Sequence, residues 1–392
     1  MKMFNVKQRE IVIYVAIMLY CVALFLKRVN MPLDHNVLNK IMTLGAMLSV
    51  ANIVFDSRFS FRRMILTVSI VFLLFLDSVP TGNHEILYWF IMIWGCRNID
   101  NERLIRYIFK IVLVMTILIA VGTVLGIVDN ELFIQNGTRY RYGLGYTPWS
   151  ILPFQFFSLC MMYICLKKKN IPLLYVFGMS VLAIVIGLLT DTKTSIVITI
   201  FGVFVLYFLQ NIEIKNWRRL KIMTIFPSVL VVMSFLLTYL YNQGNAFVAK
   251  LNIFLNYRIM FQSIGISKYG IGLWANWEAN TAVSTVEEYY GIDNQFISLA
   301  VNWGLVALVF VVILYTWVVF YLIKIRNKKL LFFVLLMLCM AMMWSRLLVL
   351  IEAGFVVCFS DVFSERMSGK LLSTNHEKEE DEKGYAKSAY NG

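Results

Sequence analysis

The sequence predicts an all-α polytopic membrane protein of about twelve transmembrane helices, ten at the fewest, and three observations carry that expectation. Hydrophobic residues fill 60% of the 392 positions and charged residues only 15%, where a soluble globule carries about 25% charge. The apolar residues fall in runs of roughly 15 to 25, the length a helix needs to cross about 30 Å of hydrocarbon. The basic residues lie in short clusters between those runs. The net charge of +13 therefore reads as a set of topology signals and not as a nucleic-acid footprint. Helices satisfy their own backbone groups in lipid, so the fold class follows from the composition.

In chain order, Lys2, Lys7 and Arg9 precede a first apolar run that ends at Lys27-Arg28 without a small-residue cleavage site, which reads as a retained span. The candidate spans are Ile11 to Leu26, Leu38 to Phe55, Met64 to Leu76, Ile86 to Cys96, Ile108 to Val128 and Ile151 to Leu166. Pro172 to Thr190, Ser195 to Gln210, Ile222 to Tyr241, Gln295 to Ile323, Leu330 to Trp344 and Leu347 to Phe363 complete the set. Clusters at Arg58/Arg62/Arg63, Arg97/Arg103/Arg106/Lys110, Lys167 to Lys169, Lys215/Arg218/Arg219/Lys221 and Lys324/Arg326/Lys328/Lys329 occupy alternate loops. The positive-inside rule then puts both termini in the cytoplasm. Leu330 to Trp344 is short for a crossing, so the alternative of one long tilted helix, with the tail outside, stays open. Residues 1–363 read as a single transmembrane domain, and the polar stretch 364–392 as a disordered cytoplasmic tail.

Two outer loops, 129–150 and 242–294, carry the residues of chemical interest. Both contain a cation, Tyr-Gly, an aliphatic residue and Gly: Arg141 to Gly145 and Lys268 to Gly272. If Phe247 to Ser263 is one helix, Phe247, Leu251, Phe254 and Leu255 form a stripe that Arg258 extends. A cation on such a face needs an anionic partner or snorkels to headgroups, and both readings stand. Arg139 and Arg141 alternate with Tyr140 and Tyr142, which puts both guanidiniums on one side of an extended segment. Guanidinium forks match phosphate oxygens, though headgroup contact explains them equally. The turns Gly143-x-Gly145 and Gly270-x-Gly272 offer backbone N–H groups to an anion or are simply tight turns.

Trp274, Trp277, Tyr289 and Tyr290, with Tyr146 and Trp149, suit sugar rings or interfacial anchoring. Glu278, Glu287, Glu288 and Asp293 are the long-loop carboxylates that could move a proton. Asp293 equally suits a helix N-cap before Gln295. Asp191-Thr-Lys-Thr-Ser195 forms a short outer turn, with Lys193 near the membrane surface. Arg346 and Glu352 lie among apolar residues and would pair with other helices. No disulfide framework, metal site or phosphate loop is implied: the cysteines sit in apolar spans, the histidines are scattered, and Asp-x-Asp and Gly-x-x-x-x-Gly-Lys are absent.

With these residues in place, the chain resembles the Wzy-type polymerases of bacterial O-antigen and capsular or exopolysaccharide synthesis, relatives of the O-antigen ligases. Arg141-Tyr-Gly-Leu-Gly-Tyr-Thr-Pro148 resembles the family's arginine, glycine, aromatic and proline stretch. Asp191-Thr-Lys-Thr-Ser195 resembles its Ser-Arg-Thr-Ser turn, with Lys193 in the arginine's place. Asn256-Tyr-Arg258 with Gly270-Ile-Gly272 resembles its large outer loop, and Asp293-Asn-Gln-Phe296 with Trp303-Gly304 its entry to the next span. Thr147 stands where the family often has His before Pro, and the large loop lacks the ligases' histidine.

The resemblance implies a GT-C type helical fold in the bacterial cytoplasmic membrane, and no metal or other cofactor. It implies a glycosyltransferase that moves a growing glycan from undecaprenyl pyrophosphate onto a new lipid-linked repeat unit. Arg141 and Arg258 would hold the pyrophosphate and Asp293 would orient the acceptor or the loop. Arg139, Lys193, Tyr257, Lys268, Trp274 and Trp277 would contact substrate. A flippase and a chain-length regulator are implied partners. The alternatives are a flippase or transporter of lipid-linked oligosaccharide, and a ligase.

Overall fold

A computed structural model describes residues 6–54, 61–97, 99–135, 139–167, 170–276, 279 and 292–344. The expected last span (347–363), the tail, Arg346, Glu352, Trp277, Glu278, Glu287, Glu288, Tyr289 and Tyr290 lie outside the described residues. The first half of the chain forms α1 (Val6–Leu26), α2 (His35–Val54), α3 (Phe61–Ser78), α4 (Glu85–Gly95) and α5 (Asn101–Val124). An antiparallel hairpin, β1 (Leu132–Gln135) and β2 (Arg139–Tyr142), follows. Then come α6 (Ile151–Leu166), α7 (Leu173–Leu189), α8 (Lys193–Asn211), a 3₁₀ turn (Arg219–Ile225) and α9 (Phe226–Asn242). The long loop holds α10 (Ala246–Phe254) and α11 (Arg258–Tyr269). The chain continues through α12 (Gln295–Ser298), a π-helical turn (Leu299–Trp303), α13 (Gly304–Lys324) and α14 (Lys328–Ala341).

This is an all-α membrane protein. Among the described residues, six stretches are long and apolar enough to cross a bilayer: Arg9–Leu26, His35–Val54, Asn101–Val124, Lys193–Asn211, Arg219–Asn242 and Gln295–Lys324. Four apolar helices are shorter, namely Met64–Ser78, Glu85–Gly95, Ile151–Leu166 and Leu173–Leu189. Their environments differ. The 11 residues of α4 rise only about 16 Å, and nearly the whole helix is buried, from Ile86 to Gly95 with Tyr88 excepted. A helix apolar on all sides belongs inside the bundle. In contrast, α3 and α7 expose long apolar faces, including Leu66, Phe72 and Leu73 on one and Leu174, Phe177 and Leu182 on the other.

Small and polar residues fix how the helices meet. A Cβ at Gly45 would lie 2.9 Å from the Ala16 carbonyl oxygen, so α1 and α2 approach through a glycine, as helices in lipid commonly do. Buried Ser49 and Asn52 of α2 donate to the carbonyls of Ile91 and Gly95 at 2.9 Å each. Trp89 and Phe90 of α4 meet Phe310 of α13 edge to face.

The connections gather at two opposite ends. At one, Lys328 Nζ donates to the carbonyls of Gln210 and Ile212, Lys329 Nζ donates to that of Lys167, and Asn170 bonds Asn211. At the other, Asn30 N–H donates to Gly145 O and Thr147 N–H to Arg28 O, while Ala275 N–H donates to the Asp77 carboxylate at 3.2 Å. Connections after α1, α3, α5, α7 and α9 meet at this second end.

One expectation is corrected. Phe247 to Ser263 is not one helix: Asn256 and Tyr257 take φ of +54° and +63°, ending α10 and restarting the chain as α11 at Arg258. Phe247 and Phe254 are exposed, whereas Val248 and Asn252 are buried. Asn252 clamps the break: its side-chain oxygen accepts from Met260 N–H at 3.1 Å, and its carbonyl from Tyr257 N–H at 2.8 Å.

Candidate functional site

Arg141 sits on β2 opposite Phe133. Its guanidinium lies over the Trp149 ring, 4.6 Å from the centroid, a cation–π contact. Its Nε is 3.5 Å from Asp191 Oδ2, and the two side chains are 11% and 22% exposed. Asp191 lies in the tight turn between α7 and α8 at φ +47°, a conformation that Asp tolerates better than most side chains. Thr192 N–H donates to Gly187 O across that turn. In this segment the sequence points to Lys193. The structure places Lys193 exposed at the first residue of α8 and brings Asp191 to the arginine instead.

Arg258 opens α11, and its Nε lies 3.1 Å from Asp293 Oδ2, each side chain 23% exposed. Two buried contacts hold the flanks of this pair. Gln262 of α11 accepts from Thr238 of α9 at 3.1 Å. Asn294 donates to Ser234 of α9 at 2.9 Å, while its side-chain oxygen accepts from the N–H groups of Phe296 and Ile297. Asn294, not Asp293, is thus the N-cap of α12, and the neighbouring carboxylate is left for the arginine.

Burial pushes the Asp293 carboxyl above its ordinary pKa, with Arg258 and then Arg141 pulling it partly back. That Arg141 acts on Asp293 places the two ion pairs in one electrostatic cluster. Four separate segments supply it: the β-hairpin, the α7–α8 turn, the start of α11 and the entry to α12. Nearby in sequence, Gln155 and Ser158 of α6 and Gln295 of α12 are each buried, and their side chains have polar atoms without a hydrogen-bond partner among the described residues. Such groups are uncommon in folded interiors. Periodicity cannot reveal them, since a lone Gln in an apolar run carries no pattern.

Other candidates lie elsewhere. Arg139 pairs in register with Gln135, and its side chain is outside the described ones. Tyr257 is half exposed at the helix break. Lys268 is in the last turn of α11, about 15 Å along the helix from Arg258, and lies over Tyr269, so it does not join the cluster. Trp274 is 37% exposed. In both glycine turns the first N–H is spent internally, Gly143 on Glu131 O and Gly270 on Ile266 O. The loop after Gly270 lies on the π turn and α13: Leu305 and Val306 N–H groups donate to the carbonyls of Gly272 and Leu273, and Asn276 N–H to that of Asn302. No group of three or more potential metal ligands occurs among the described residues.

Fold and cluster together define a helical membrane protein with a double arginine–carboxylate site at one end of its bundle. Comparison with protein families, curated proteins and solved structures finds no match to this chain.

Proposed function

We propose that this protein is a polysaccharide polymerase of the Wzy type, joining undecaprenyl-pyrophosphate-linked oligosaccharide units at the outer face of the bacterial cytoplasmic membrane. In this reading the bundle is of the GT-C type with about twelve spans, the N-terminus is cytoplasmic, and the cluster end faces outward. The observation that supports it best is the convergence of Arg141 and Arg258, from two separate loops, on one cluster with Asp191 and Asp293. Paired guanidiniums suit a pyrophosphate.

The acceptor hydroxyl attacks the anomeric carbon of the growing glycan. The bond from that carbon to the pyrophosphate oxygen breaks, and the electron pair leaves on pyrophosphate, where Arg141 and Arg258 stabilise it. The incoming anion competes with the carboxylates for the arginines and releases Asp293. Burial makes that carboxylate more basic than usual, and it takes the hydroxyl proton.

Reconstitution of the full chain in liposomes with a lipid-linked repeat unit, without nucleotide or ion gradient, is expected to give a ladder of products on a gel. Absence of a ladder with the unit appearing in the opposite leaflet would assign transport instead. Within this reading Asp191→Asn removes one negative charge beside Arg141 without changing shape. Inorganic pyrophosphate is then expected to inhibit at roughly threefold lower concentration, with KM and kcat both falling, because the ground state gains more than the transition state. An unchanged inhibition constant would remove Asp191 from the anion site.

A further inference from the structure

The end of the bundle opposite the cluster carries a second charged feature, about 35 Å away along α5. Between the start of α5 and α1 lies an open groove of about 460 Å³, lined among others by Arg103, Arg106, Lys110, Tyr14 and Tyr107. The two tyrosines are held together: their rings are 4.7 Å apart and Tyr107 Oη donates to the Tyr14 carbonyl. The three cations are exposed and stand at i, i+3 and i+7, on one face of the helix.

That face continues with a change of character. Val114, Ile117, Val121 and Val124 follow at the same helical spacing and are 53%, 52%, 49% and 87% exposed. The cationic part of the stripe is about 10 Å long and the apolar part about 15 Å, the latter matching the hydrocarbon depth of one leaflet, about half of 30 Å. A single stripe, cationic and then apolar with a sharp border between Lys110 and Val114, is the complement of an amphiphile carrying a negative head.

We propose that this groove and stripe form a binding site for an anionic phospholipid, its phosphodiester held by Arg103, Arg106 and Lys110 and its acyl chain lying along Val114 to Val124. The carboxylates at the groove select for this occupant over a free multivalent anion. Asp100 is turned to the helix start, accepting from Arg103 N–H at 2.9 Å, and Glu102 lies 2.6 Å from Arg106. Together they leave a net single positive charge among the groove's five ionic groups, enough for one phosphodiester, while affinity for the chain comes from apolar contact. Basic pockets at helix ends bind lipid headgroups on this principle.

The test is native mass spectrometry of the full-length chain in detergent, titrated with phosphatidylglycerol or with phosphatidylcholine of the same acyl chains. The wild-type chain is expected to retain phosphatidylglycerol about tenfold better, since each basic group near a headgroup contributes a several-fold preference. Arg103→Gln with Lys110→Gln is expected to abolish the preference. Arg218→Gln with Lys221→Gln, equally exposed cations at the same end, is expected to leave it. Glu102→Gln frees Arg106 and is expected to strengthen retention, a gain that misfolding cannot mimic. An undiminished preference in the first pair, an equal loss in the second, no gain in Glu102→Gln, or full displacement of the lipid by inorganic phosphate at equal concentration would each overturn the site.

Discussion

Arg258→Ala is expected to reduce the initial rate of ladder formation by at least about 100-fold, the usual cost of removing one preorganised group that stabilises developing negative charge. The alanine also leaves Asp293, whose side chain is only 23% exposed, without the guanidinium beside it, and an unpaired carboxylate there is costly. Two further variants separate charge from shape. Arg258→Lys keeps the charge but loses the planar fork and recovers little. Arg258→Ala combined with Asp293→Asn removes both charges, so protease resistance of the long loop returns while polymer does not. Wild-type rates in the single alanine variant would exclude Arg258 from the mechanism.

The second large effect is structural, at Gly304. Its φ is +78°, and a Cβ there would lie 2.5 Å from the Trp274 carbonyl carbon and 2.6 Å from the Leu273 carbonyl oxygen. Backbone atoms cannot swing aside as a side-chain tip can. Gly304→Ala is therefore expected to push the loop after Gly270 off α13, breaking the hydrogen bonds from Leu305 and Val306. Strain of about 1–3 kcal/mol adds to about 1 kcal/mol for each hydrogen bond lost. The measurement is limited proteolysis of membrane vesicles, with faster cleavage between residues 270 and 276 and no ladder. Gly82→Ala is the control: its φ is +64° but nothing lies within 4 Å of the added carbon, so only local backbone strain remains. Equal protease resistance in both variants would show that the loop does not depend on this approach.

The bundle was largely legible because burial in lipid imposes long apolar runs, and the runs with their basic borders locate most helices to within a few residues. Arg141, Arg258 and Asp293 were legible as charges that have no reason to stand beside apolar spans. What periodicity could not show is where a helix breaks without Gly or Pro. Asn256 and Tyr257 both adopt positive φ, held by the local grip of Asn252, so a stripe drawn through them does not lie on a single helix. Asp191 escaped notice because its partner lies fifty positions earlier in the chain, and Lys193 two residues on carried the more conspicuous charge. The adjacent Asp293 and Asn294 divide capping and ion pairing in a way that only the Ser234 contact decides.

The two ion pairs also determine what the cluster looks like from a distance. Arg141, Asp191, Arg258 and Asp293 sum to zero charge, so at rest these four groups cast almost no field beyond the Debye length of about 8 Å in physiological salt. These four groups therefore contribute nothing to the electrostatic steering of soluble phosphates from bulk. An anion delivered within the membrane plane meets the arginines at contact range and competes there with two carboxylates already in place. Selection at such a site rests on exchange of partners at close quarters, and its capture rate is insensitive to ionic strength.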